Sequence, residues 1–180
     1  MSFLIAGHGR AGTVWLSKVL NCGDHNVLHE SCWLDPRDAL HRLTASPKEG
    51  EVNNSLTGRV EDFIKDGIKI GIVIRHPKDQ VRSHAKRPGG MWTYFAERLH
   101  WYRVMHDLMV CGRATIIRFE HVTTDKQYLE QVARELGIQG LNVPDELFKK
   151  TFNNHNAKPL RDYSNILKQL EWFTEYWYPE

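Results

Sequence analysis

Two stretches of the chain carry the residues best suited to hold an anion. The first, Gly7-His8-Gly9-Arg10-Ala11-Gly12-Thr13-Val14-Trp15, follows a short apolar run and precedes apolar residues at helical spacing. A glycine loop that opens a helix offers backbone N–H groups and the positive helix end to an anion. Against the phosphate-loop pattern GxxxxGK[ST], Gly7 and Gly12 fit. Thr13, however, stands in the lysine slot and Val14 in the slot of the magnesium-ligating hydroxyl. Both electrostatic parts of a magnesium-nucleotide triphosphatase are thus missing. Arg10 instead brings a permanent fork of donors suited to a tetrahedral oxyanion without a metal. Taken alone, the same glycines also suit a plain strand-to-helix connection.

The second stretch is Arg75-His76-Pro77-Lys78-Asp79-Gln80-Val81-Arg82-Ser83, which follows a β-branched run and enters a helix through Pro77. At ~3.6 residues per turn, Ser83 falls roughly two turns beyond Arg75. An arginine at a strand end and a hydroxyl on the next helix can hold one phosphate between them.

Together the two stretches resemble the nucleotide-binding signatures of the sulfotransferase family, whose sulfuryl donor is 3′-phosphoadenosine 5′-phosphosulfate (PAPS). The family's first loop reads like PKSGTTW and its second like RxPxDxxxS. Here Gly9-Arg10-Ala11-Gly12-Thr13-Val14-Trp15 matches the first, with Arg10 at the usual lysine and with Ala11 and Val14 at hydroxyl positions. Arg75, Pro77, Asp79 and Ser83 keep the register of the second. Ile116 to Val122 is similar to the family's later strand and turn RYEDL, so the resemblance spans most of residues 3–137. Within that turn Phe119 is expected to be packing rather than a ligand.

The resemblance implies a loop of Gly9, Arg10, Ala11, Gly12, Thr13 and Val14 around the 5′-phosphosulfate, with Arg75 and Ser83 on the 3′-phosphate. It also implies a three-layer α/β fold of phosphate-loop type, a parallel sheet with helices on both faces. The product would be adenosine 3′,5′-bisphosphate (PAP), the reaction would need no metal, and the acceptor would be a hydroxyl or amine of a small molecule or glycan. Several carbohydrate sulfotransferases place a catalytic glutamate after the first helix. Glu30, in Asn26 to Asp35, is the expected base and His29 the second candidate, with Arg10 stabilising the leaving oxygen. A solvated or ion-paired Glu30 remains the plain alternative. Two other functions stay open, a small-molecule kinase of the phosphate-loop class and a nucleotide-binding protein of this fold that has lost transfer.

Further features are less specific. The histidines include His25, His29, His100 and His106 but no HExxH pattern, and Cys22, Cys32 and Cys111 have no CxxC spacing, so no metal site is expected. Met91 to Trp101 is aromatic-rich, fitting core packing or stacking on an acceptor or adenine. Lys158 and Arg161 would suit a basic lid or a solvated loop.

The elements that must position these groups follow from periodicity and breakers. Phe3–Ala6, Glu51–Asn54, Lys69–Arg75 and Ala114–Phe119 read as strands. Helices are expected over Thr13–Leu20, Pro36–Leu43 with Asp35 as N-cap, Thr57–Asp66, Pro77–Lys86, Met91–Met109, Lys126–Leu136, Asp145–Phe152 and Tyr163–Tyr176. Strands separated by helices predict a parallel sheet.

The whole is expected to be one domain over residues 1–180. Apolar residues at 41% and charged residues at 26% describe an ordinary folded chain. A formal charge of +2 excludes a generic polyanion coat and argues against nucleic acid as a partner. No apolar run reaches the length of a membrane span, and the run before Gly7 is too short for a signal peptide, so a cytoplasmic protein is expected. Acceptor identity and oligomeric state are not encoded in any motif.

Overall fold

The computed structural model describes residues 1–32, 35–86, 93, 95–149 and 162–179. Five parallel strands form one sheet in the order β2-β3-β1-β4-β5: β1 Phe3–Gly7, β2 Asn26–His29, β3 Glu49–Val52, β4 Lys69–Ile74 and β5 Thr115–Arg118. The central strands β1 and β4 are nearly continuous apolar runs because both of their faces are covered. Leu4, Ala6, Ile70, Ile72 and Ile74 pack one core layer with Phe63, Tyr102 and Phe173, whereas Phe3, Ile5, Val73 and Ile117 pack the other with Leu16, Leu20 and Leu136. Period-two alternation thus divides each strand between two helical layers.

The helices are α1 Thr13–Leu20, α2 Pro36–Ala45, α3 Val60–Lys65, α4 Pro77–Ala85, α5 Trp101–Val110, α6 Phe119–Val122, α7 Lys126–Leu136, α8 Asp145–Phe148, α9 Ser164–Gln169 and α10 Glu171–Trp177. Asp35 caps α2 as expected, accepting from the Arg37 N–H, and Gly137 ends α7 at φ 93°.

Several elements depart from their predicted form. The expected helix from Thr57 begins as a 3-10 turn, Asn54–Arg59, because Asn53 and the Thr57 hydroxyl bind nearby backbone. The long helix over Met91–Met109 is interrupted by a turn at residues 98–100, and the C-terminal helix divides at Leu170. Strand β2 has no counterpart in the predicted pattern. Only Val27 and Leu28 are apolar there, and the strand is held by pairing with β3.

Both outer edges of the sheet are occupied by single polar side chains. The Asn21 amide exchanges two hydrogen bonds with the Val27 backbone at 2.6 and 2.9 Å. On the opposite edge the Tyr128 hydroxyl donates to Ile116 O at 3.0 Å and accepts from Arg118 N at 3.3 Å. These contacts satisfy backbone groups that an open strand would leave for another chain.

After β1 the chain moves to one side of the sheet to form β2 and β3, and it then crosses to β4 and β5 on the other side. The topological switch lies between β1 and β4, where the crevice beyond the strand ends receives ligands in open α/β sheets. Both anion-suited stretches start there.

Candidate functional site

The loop between β1 and α1 is shaped by two left-handed residues, Arg10 at φ 67° and Gly12 at φ 86°. A glycine is required at position 12 for a second reason. A Cβ there would stand 1.9 Å from the Phe119 ring, so that ring packs close against the loop backbone. The loop is supported from below by Gln80, whose amide donates to His8 O at 2.8 Å and Gly9 O at 2.7 Å and accepts from the Tyr102 hydroxyl. Gly7 exchanges hydrogen bonds with the Thr57 hydroxyl. His8 is buried among Phe95, Trp101 and Tyr102, and burial lowers its pKa to about 3. It is a neutral core histidine.

The two stretches meet. Arg10 Nε donates to Ser83 Oγ at 3.0 Å, and Arg75 Nη1 donates to Arg10 O at 3.1 Å. The Arg75 side chain, only 8% exposed as a residue, lies over the Phe119 ring at 5.0 Å. Phe119 therefore joins Gly12 to Arg75. Phe119 is partly buried against the apolar layer and packs between the two loops. Gly9 sits against His84, whose Nε2 would be 2.9 Å from an added Cβ.

The other predicted positions divide. Thr13 is buried at the start of α1 and its hydroxyl meets His29 Nε2 at 3.1 Å and Asn54 Nδ2 at 3.2 Å. Ala11 is fully buried in the apolar layer, where it serves as packing, and Val14 is exposed. Glu30 directly follows β2 with φ 48° and is half-buried. Burial and the Glu51 carboxylate raise its pKa, against the opposing effects of His29 and an Asn54 hydrogen bond. A carboxyl in such a place is a better proton acceptor than one in water. Glu51 itself is fully buried and held by Arg42, Ser31 and Asn53, which makes it structural.

The roles of Asn54 and Gln80, and the place of Phe119 between Gly12 and Arg75, were not anticipated from the sequence. Only the polar pair Asn53-Asn54 at the end of a buried strand carried any signal. Lys158 and Arg161 lie outside the described residues, as do residues 91, 92 and 94 of the Met91–Trp101 stretch. Among the described residues, no group of three or more His, Cys, Asp or Glu could hold a metal, and no helix is long and apolar enough to cross a membrane.

No protein-family model matches the chain, and no curated protein matches it in sequence. Among solved structures, mouse sulfotransferase SULT7A1 complexed with PAP is similar, with a TM-score of 0.55 and 19% identity, over 82% of this chain and 60% of that one. The chain therefore spans 60% of the length of that neighbour. The likeness establishes the α/β fold as sulfotransferase-like.

Proposed function

We propose that the protein transfers a sulfuryl group from PAPS to a hydroxyl or amine, releasing PAP. The observation that carries this reading is the junction of Arg10, Ser83 and Arg75 at the ends of β1 and β4. Two guanidinium groups and a hydroxyl meet there at the crevice beyond the strand ends, and the fold is similar to that of a protein solved with PAP.

In the proposed mechanism Arg75 and Ser83 take the 3′-phosphate. The loop N–H groups, Arg10 and the Thr13 hydroxyl take the 5′ side. Glu30 removes the acceptor proton while the acceptor oxygen or nitrogen bonds to sulfur and the bond from sulfur to the 5′-phosphate oxygen breaks. Charge then grows on that leaving oxygen, where Arg10 is placed to stabilise it. The donor set is cationic and neutral rather than carboxylate-rich, so it suits an anion directly and needs no bridging metal. We assign the site to a single domain over residues 1–180 and the acceptor to the small-molecule or glycan class.

Titration calorimetry with PAP, AMP and ATP plus Mg²⁺ tests the donor site. Binding of PAP well above AMP supports it, whereas equal affinities, or binding of ATP only with Mg²⁺, would replace it with the kinase reading. Retained PAP binding without transfer to any of a panel of phenolic, alcoholic and glycan acceptors favours a nucleotide-binding protein of the same fold. The buried, hydroxyl-free Ala11 is the feature that recommends that second reading.

A further inference from the structure

We infer that Glu120 is a positioning residue that fixes the Arg75 turn for the 3′-phosphate and is itself held by Tyr178 from the C-terminal segment, an assignment that rests on the nucleotide reading of the site. The parallel ladder between β4 and β5 ends at the pair Ile74 and Arg118. Beyond it the chain after β5 coils into α6, and side chains take over from backbone pairing. The Phe119 ring lies 5.0 Å from the Arg75 guanidinium, and Glu120 Oε1 accepts from the His76 N–H at 2.8 Å. Two consecutive residues after β5 thus grip two consecutive residues after β4, Arg75 by its side chain and His76 by its backbone. That N–H stands between Arg75 and Pro77, the first residue of α4. Its place sets both the direction in which Arg75 leaves the strand and the start of the helix that carries Ser83.

The other Glu120 oxygen is also engaged. The Tyr178 hydroxyl donates to Oε2 at 3.3 Å, and the Tyr178 ring lies 5.0 Å from the His76 ring. Arg118 brings Tyr178 there, since its Nη1 donates to Trp177 O and its guanidinium lies 5.3 Å from the Tyr178 ring. A carboxylate can only accept, so both bonds run toward Glu120. Burial and the Glu120 charge raise the Tyr178 pKa, which keeps the phenol a donor. With one donor on each oxygen, the carboxylate is fixed in orientation, and the C-terminal segment is tied to the turn that presents Arg75.

Calorimetry on the full chain with PAP and with AMP, which keeps the 5′-phosphate and lacks the 3′-phosphate, tests the role. Glu120→Ala should weaken PAP by about tenfold, the scale of one hydrogen bond to a charged group, and leave AMP unchanged. Glu120→Gln keeps an oxygen for the His76 N–H and should recover most of that loss. In the Arg75→Ala background Glu120→Ala should cost little further PAP affinity, because the group it positions is already gone. Tyr178→Phe keeps the ring against His76 and removes the donor, so a loss of about threefold confined to PAP is expected. This milder variant decides the matter if Glu120→Ala does not fold. The positioning role is overturned, with the nucleotide reading intact, by equal losses for PAP and AMP, by Glu120→Gln no better than Glu120→Ala, by a full Glu120→Ala loss in the Arg75→Ala background, or by Tyr178→Phe without a PAP-specific loss. If the unaltered protein binds PAP no better than AMP, the 3′-phosphate site itself is wrong and the inference falls with it.

Discussion

Arg10 and Ser83 are 73 residues apart in the chain and hydrogen-bonded at 3.0 Å, the guanidinium Nε donating to the hydroxyl. The contact runs from the loop after β1 to the helix after β4. It makes one polar surface of two stretches that each look ordinary in isolation. Arg75 completes the surface by donating to the carbonyl of Arg10.

Removing Arg75 should therefore sharply reduce discrimination for a 3′-phosphate. Arg75→Ala is expected to lose about 1.5 to 3 kcal/mol of PAP binding, the range for a hydrogen bond to a charged group, with AMP nearly unaffected. Arg75→Lys keeps the charge and loses the fork, so it should fall between the two. Ser83→Ala should cost about 0.5 to 1.5 kcal/mol. Calorimetry with both nucleotides checks the order, and equal losses for PAP and AMP would contradict it.

Gly12 should be intolerant of alanine for two separable reasons. The left-handed backbone costs a β-carbon about 1 to 2 kcal/mol, and the Phe119 ring occupies the space the methyl group needs. Gly12→Ala should lower the midpoint of thermal unfolding more than the backbone term alone. Adding Phe119→Ala to Gly12→Ala should destabilise by less than it does in the parent chain. Simple additivity of the two changes would show that the ring moves aside freely.

Glu30 should set the ascending limb of the pH profile of transfer. Its raised pKa predicts that activity climbs with pH through a value above the ordinary glutamate range, and Glu30→Gln should remove roughly 10² to 10⁴ in kcat with PAP affinity nearly unchanged. Stability should move the other way. A carboxyl that holds its proton more tightly when folded loses stability as pH rises through the unfolded and then the folded pKa. Glu30→Gln should match the parent chain in denaturant unfolding at low pH and exceed it near neutrality. A less stable variant at neutral pH would mean that the carboxylate is structurally required.

His8 should make the fold acid-sensitive. Its pKa falls from the ordinary imidazole value of 6.5 to about 3 in the fold, because burial disfavours the cation. Between those values the unfolded chain takes up a proton that the folded chain refuses, so stability drops as pH falls below 6.5. The limiting slope is about 1.4 kcal/mol per pH unit for one proton. His8→Leu should flatten that part of the curve. An unchanged slope would assign the acid sensitivity to other groups.

The central strands, the glycine loop and the turn from Arg75 into its helix were legible because their signals are local. A fully buried strand is apolar along its length, a turn with φ above zero calls for glycine, and Pro77 or Asp35 marks a helix start within a few residues. Strand β2 was not legible for the converse reason. It carries two apolar residues at a sheet edge, and its pairing with β3 and its Asn21 plug are nonlocal. The breaks at residues 98–100 and at Leu170 were hidden in the same way, since helical spacing continues across both.

For the site, amino-acid order determined which groups exist: Arg10 in a glycine loop, Arg75 and Ser83 two turns apart, and Glu30 beside His29. Tertiary structure alone decided their partners. It joined Arg10 to Ser83, put Phe119 between Gly12 and Arg75, and brought Asn54 to Thr13 across 41 residues. Residue type and spacing record local backbone preference and burial, which each segment expresses independently. A hydrogen bond between distant segments depends on the crossing of β1, β3 and β4 in one sheet, and that order is set only when all of them pack at once.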